Sequence, residues 1–331
     1  TDRDRGARGM APNETTTLPF GWAGFLIEIP DVMRLGKIQR HARRGIIRLI
    51  DDRELRLELA WGMPRVGSDP LKALRKFLIK ALPRHQRTGV RDQIQTLQAR
   101  APSNLDPLIY FGDDERESEY WAGYCPATRR AVQVVHHKTD SKKQNQLVRD
   151  AVRQLIDQPT DQPQRWSFFS HRLTTPAGFA HQEATLNVGD MMLNLRDVRH
   201  RFTRGRIRIR LIYPADLALK RKPIEDWFKD MVTGERSVHL PRHRGLFRRG
   251  GLRVNEIDTP HGKALTTDAR LPLIFAAFAW TTPRYRRHVI HHDQPAGRIV
   301  YLAIADRRHR LDDLVTDTLG GLHWSGTEDH G

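Results

Sequence analysis

Three arginines alternate with aliphatic residues in the run Arg206, Ile207, Arg208, Ile209, Arg210, Leu211. In a strand, period two sends the guanidiniums to one face and the aliphatic side chains to the other. Arg199, Arg201 and Arg204 precede this run, and Lys220, Arg221 and Lys222 follow it. A second cluster, with Arg242, Arg244, Arg248 and Arg249, lies in a glycine-containing connector, and a third pairs Arg286 and Arg287 with Tyr285, a few residues after Trp280. Guanidinium forks match phosphate and carboxylate oxygens, and contacts of this kind carry sequence-independent affinity for nucleic acid. The three clusters are therefore candidate polyanion contacts. The ordinary alternative for the Arg206, Arg208, Arg210 face is a solvated surface partly neutralised by acids such as Asp197 and Asp216.

Other chemistry is thinly represented. His288, His291, His292 and Asp293 are the one concentration of metal-ligand types, but their spacing matches no zinc pattern, so neither a metal nor another cofactor is expected. Asp113, Asp114, Glu115 and Glu117 read as a solvated acidic turn. The single cysteine, Cys125, allows no disulfide within the chain and lies on an apolar stretch, as a buried thiol would. No glycine-rich phosphate loop, nucleophile elbow or His-Glu-x-x-His is present, so a non-enzymatic role is expected. Nor is there a helix-turn-helix, RRM, KH or zinc-finger signature, which leaves nucleic-acid recognition to electrostatics.

The charge balance supports that class of partner. Lys plus Arg is 56 against 39 Asp plus Glu, an excess of 17 over 331 residues, with Arg outnumbering Lys about fourfold. A field of this sign concentrates polyanions at the surface, so the expected partners are nucleic acid (DNA or RNA) or an acidic protein, with self-assembly as a further route. No apolar run approaches the roughly 18–20 residues of a membrane helix, and the first nine residues lack the apolar centre of a secretory signal. A cytoplasmic protein without membrane insertion is the expectation.

The elements that must position these residues fall into two similar series. Residues 24–30, 45–50 and 55–61 are short, Leu/Ile-rich and separated by turn residues, which predicts three strands in a meander. Asp69 and Pro70 then start a helix with Leu71, Leu74, Phe77, Leu78 and Leu82 on one side and Lys72, Lys76 and Lys80 on the other. Strands at 108–111, 120–125 and 131–135 lead to a second helix carrying Val148, Ala151, Val152 and Leu155. The proline-containing stretch 157–164 is the best linker in the chain. Beyond it, strands at 166–169, 184–188, 191–195 and 205–213, a short helix from Pro223, a weak strand at 252–257, strands at 275–280 and 298–304, and a helix at 311–322 repeat the plan, with 278–283 matched to 121–126.

The predicted fold is therefore α+β: two tandem antiparallel-sheet domains with packed helices, related by internal duplication. A tail covers 1–18, the first domain 19–157, a linker 158–165 and the second domain 166–331.

On this element order, and on the phrase Gly24 to Pro30 with its echo from Thr175 to Phe179, each half resembles the Mog1/PsbP-like α/β sandwich. The resemblance implies mostly protein-binding, non-enzymatic roles, and it carries over no functional residue.

Overall fold

The computed structural model describes residues 16–41, 44–52, 54–64, 67, 69–112, 115–168, 171–187, 189–199, 205–220, 222–239, 253–270, 283 and 285–324. The chain divides into two compact units, residues 1–21 with 25–157, and residues 22–24 with 158–331.

The first unit runs β1 (Thr17–Trp22), β2 (Phe25–Pro30), β3 (Arg34–His41), β4 (Arg44–Ile50), β5 (Leu55–Gly62), α1 (Pro70–Ala81), β6 (Gln95–Leu97), β7 (Leu108–Phe111), β8 (Ser118–Cys125), β9 (Arg130–His137), α2 (Lys142–Arg153) and β10 (Ile156–Asp157). Seven strands form one sheet in the order β3-β4-β5-β9-β8-β7-β6, antiparallel throughout, while β1, β2 and β10 form a small separate sheet.

Helix α1 begins where the sequence predicts: Asp69 accepts the Leu71 N–H at 3.0 Å, and Pro70 fills a position that needs no donor. Its Leu74 and Leu78 pack on Ile109, Phe111, Tyr120 and Ala122 of the large sheet. Helix α2 buries Val148, Ala151 and Val152 and sends Arg149 to the buried carboxylate of Glu119, 2.5 Å away, on the other face of that sheet. The turn between β8 and β9 is tied to β10 by Arg130 and Thr128, both bonded to the fully buried Asp157, and the Arg130 guanidinium lies 4.4 Å over the Phe25 ring.

The second unit repeats this path with β11 (Gln164–Phe168), β12 (His171–Thr175), β13 (Phe179–Asn187), β14 (Asp190–Asp197), β15 (Arg206–Ile212), α3 (Ala215–Leu219), α4 (Ile224–His239), β16 (Asn255–Thr259), β17 (Gly262–Arg270), β18 (Tyr285–Asp293), β19 (Arg298–Asp306), α5 (Leu311–Gly320) and β20 (Leu322–Trp324). Its large sheet has the order β13-β14-β15-β19-β18-β17-β16, and β11, β12 and β20 form the small one. Phe228, Met231 and Val232 of α4 pack on Ile290, Ile299 and Tyr301 of the large sheet. The β-bulge also recurs, between Leu35 and Lys37 on β3 and between His181 and Glu183 on β13.

The predicted α+β character stands, but strands dominate, and several elements differ from expectation. Residues 24–30, 45–50 and 55–61 do not form one meander: β2 pairs with β10, and β3 intervenes before β4. Strand β3 is a charged, bulged edge with Arg34 and Lys37, which hides it from an apolar pattern. Strand β17, an inner strand, escapes because the small polar Thr266 and Thr267 interrupt its apolar pattern. The helix after Pro223 extends to His239. The counterpart of β8 in strand order is β18, not residues 278–283. The strand expected at 275–280 lies outside the described residues, as does most of the tail.

Candidate anion-binding trough

Register places the predicted cations. On β15, Arg206, Arg208 and Arg210 stand opposite Ala305, Ala303 and Tyr301 of β19, and these in turn stand opposite Arg286, His288 and Ile290 of β18. Paired residues in an antiparallel sheet share a face, so all nine point to the α4 side. Tyr301 and Ile290 are covered by the helix cluster. Beyond them the sheet carries a hollow of about 160 Å³. Ala303 and Ala305 form its floor, Arg206 and Arg208 one wall, and Arg286 and His288 the other.

The walls are held by neighbours. Arg208 donates through Nε to Asn194 Oδ1 at 2.7 Å, and Asn194 Nδ2 donates at 3.2 Å to Glu183, whose carboxylate itself lines the hollow beside the arginines. His288 is buried, its Nδ1 2.8 Å from the Tyr301 hydroxyl and its ring stacked on the tyrosine at 25°. Arg206 is half-buried, and its Nε has no hydrogen-bond partner among the described residues.

The same row in the first unit has been put to a different use. The shared bulge aligns Lys37, Arg48, Glu58, Val135 and Tyr120 with Glu183, Asn194, Arg208, Ala303 and His288. Val135 and Tyr120 fill the position of the trough and pack into the α1 cluster. One step along, His137 and Ser118 replace Ala305 and Arg286 and lie 3.1 Å from one another. Glu58 replaces Arg208 and engages His137 at 3.4 Å and Arg48 at 2.7 Å. The His137 hydrogen bond, with help from Arg48 and against the effect of burial, holds the Glu58 carboxyl below its ordinary value. One sheet is filled and neutralised where the other is hollow and cationic.

The remaining predicted residues are dispersed. Arg210 makes a bidentate pair with Asp190 at 2.7 and 2.6 Å. Arg199 lies at the edge of its pairing range, 3.7 Å from Asp197, and is half-exposed. Arg287 points to the opposite face from Arg286, where Asp268 and Asp312 bind its guanidinium and raise its pKa, Asp268 contributing most. Arg201, Arg204, Arg242, Arg244, Arg248 and Arg249 lie outside the described residues.

His291 turns away from His288 to place Nδ1 3.1 Å from the Lys263 carbonyl, and among the described residues no three His, Cys, Asp or Glu side chains gather as a metal would require. Cys125 is fully buried against the Asp157 carbonyl. No helix among the described residues is long and apolar enough to cross a membrane.

Sequence reasoning found the arginines but missed the floor. The alternation of Tyr301, Ala303 and Ala305 with Val300, Leu302 and Ile304 carries the signal, since it puts the small residues on one side of β19. No protein-family model matches the chain, and no curated protein matches it in sequence.

Proposed function

We propose that this chain is a non-enzymatic nucleic-acid-binding subunit whose second unit holds phosphate in the trough between β15 and β18. We also propose that the two units arose by internal duplication, the first keeping its open face filled as scaffold. One observation carries the reading: Arg206, Arg208 and Arg286 converge on a hollow at a place where the first unit has Glu58 for Arg208, Ser118 for Arg286 and Val135 for Ala303 of the floor. The excess of 17 positive charges supplies long-range attraction, and the trough supplies a fixed contact. Among the described residues, no nucleophile with an adjacent base lines the hollow, which favours binding over catalysis.

The test is titration of nuclease-treated protein against labelled single- and double-stranded DNA and RNA over a salt series. Submicromolar affinity is expected at low salt, falling with salt as roughly 0.7 to 0.9 times the number of phosphates neutralised. Weak binding to every form at low salt would overturn the reading in favour of an adaptor for an acidic protein, since guanidinium forks accept carboxylates as well.

A further inference from the structure

We infer that the trough is a seat for a single phosphate monoester, the terminal phosphate of a nucleic-acid strand or of a nucleotide. The inference rests on the trough being an anion site, and it goes beyond that in naming the chemical group.

The cations converge across one strand. Arg206 and Arg208 on β15 and Arg286 on β18 are separated only by β19. Two strand spacings put their backbones about 9–10 Å apart, so guanidiniums leaning inward from both sides reach one anion between them. Ala303 and Ala305 project almost nothing into that space. The hollow, at about 160 Å³, far exceeds the ~10–15 Å³ that one water needs, so an anion of several atoms fits. Among the described residues, the next arginine on β15, Arg210, is taken by Asp190, the next on β18, Arg287, is on the other face with Asp268 and Asp312, and Arg196 of β14 stands opposite Arg206.

The donors are also set for a group that accepts many hydrogen bonds. Asn194 fixes the plane of Arg208 by accepting from its Nε. Arg206 Nε is buried without a partner among the described residues, a state that costs free energy until an acceptor arrives. A monoester near neutral pH carries about −1.5 to −2 charge on three terminal oxygens. A diester offers two such oxygens and a single charge, a poorer match to three guanidiniums.

The experiment compares one labelled single-stranded oligonucleotide bearing a 5′-phosphate, a 3′-phosphate or hydroxyls at both ends, with adenosine 5′-monophosphate and inorganic phosphate as competitors. A phosphorylated end is expected to bind about tenfold more tightly than hydroxyl ends. Arg206→Gln and Ala303→Val, the latter placing in the floor the side chain that Val135 supplies in the first unit, should each abolish that difference with melting unchanged. Effective competition by the mononucleotide would identify free nucleotides as a source, and its absence would assign the seat to strand ends. Equal affinity for all three oligonucleotides would overturn the monoester inference and leave nucleic-acid binding standing. Mononucleotide binding that Arg206→Gln removes, without oligonucleotide binding, would overturn the nucleic-acid reading and keep the seat. Binding of neither would remove both.

Discussion

Glu58 and Arg208 occupy the same position in the two large sheets: each is on the third strand, in the row fixed by the bulge, facing Val135 in one unit and Ala303 in the other. Opposite charge stands at equivalent positions, beside a large residue in one unit and a small one in the other, and on the proposed function this separates a scaffold face from a binding face.

Arg286 and Arg287 are chain neighbours on opposite faces of the sheet. Arg286→Gln should weaken polyanion binding several-fold with an unchanged melting temperature. Arg287→Gln should leave binding intact and lower stability modestly, by about 0.5–1 kcal/mol, because Asp268 and Asp312 are largely solvated partners. Binding isotherms and thermal melts of the two variants check both. Equal loss of binding would mean that the two faces are not distinct in function.

The first unit depends on a buried charge network. Burial alone would raise the Glu119 pKa, but hydrogen bonds and charge from His136 and Arg149 outweigh it and bring the carboxyl to about 2. Its ionised form thus stabilises the fold above the ordinary carboxylate pKa of 4.5, and this contribution is lost as pH falls toward 2. Glu119→Ala should cost about 3–5 kcal/mol at neutral pH, since it leaves Arg149 and His136 without their acceptor. It should also flatten the decline of stability between those two pH values, as denaturant melts over a pH series would show.

His171 confers acid sensitivity on the second unit. Its burial, with a smaller contribution from Arg298, lowers the imidazole pKa to about 4. Between that value and the ordinary 6.5 the unfolded chain binds the extra proton, so stability falls as pH drops through this window. His171→Leu should reduce the slope there, read from melting temperature against pH, with buried His291 left to contribute the remainder. An unchanged slope would assign the sensitivity to other groups.

Gly45 sits where an added Cβ would collide with the Trp61 ring. Both lie in the β4–β5 pair, and Trp61 also packs at 5.2 Å on Phe25. Gly45→Ala should therefore destabilise the first unit by about 1–3 kcal/mol without altering the polyanion affinity proposed for the second. Calorimetry with a parallel binding assay would separate the two effects.

Much of the fold was legible because its core strands alternate or run apolar: β4, β5, β8, β9, β15 and β19 announce themselves through Ile47, Leu59, Trp121, Val134, Ile209 and Leu302. The cap of α1 was equally plain from Asp69 and Pro70. Edge strands β3 and β16 carry charge instead of an apolar stripe, so apolar periodicity does not reveal β3 and marks β16 only loosely. The site was half legible. Alternation gave the Arg206 face, but pairing is a long-range property, and nothing local to Arg286 says that Ala305 separates it from Arg206. Nor does local sequence reveal that Arg210 and Arg287 are already engaged by Asp190, Asp268 and Asp312.

The most direct measurement sets the triple variant Arg206→Gln, Arg208→Gln, Arg286→Gln against a charge-matched triple on α1, Lys72→Gln, Arg75→Gln, Lys76→Gln, in nucleic-acid titrations over a salt series. Both remove three positive charges, so net charge cannot explain a difference. The trough triple should lose at least about tenfold in affinity and show a shallower salt dependence, while the α1 triple stays within about twofold of the parent, that is, within ~0.5 kcal/mol. Equal losses would contradict a trough-centred contact and leave only the diffuse attraction of a basic surface.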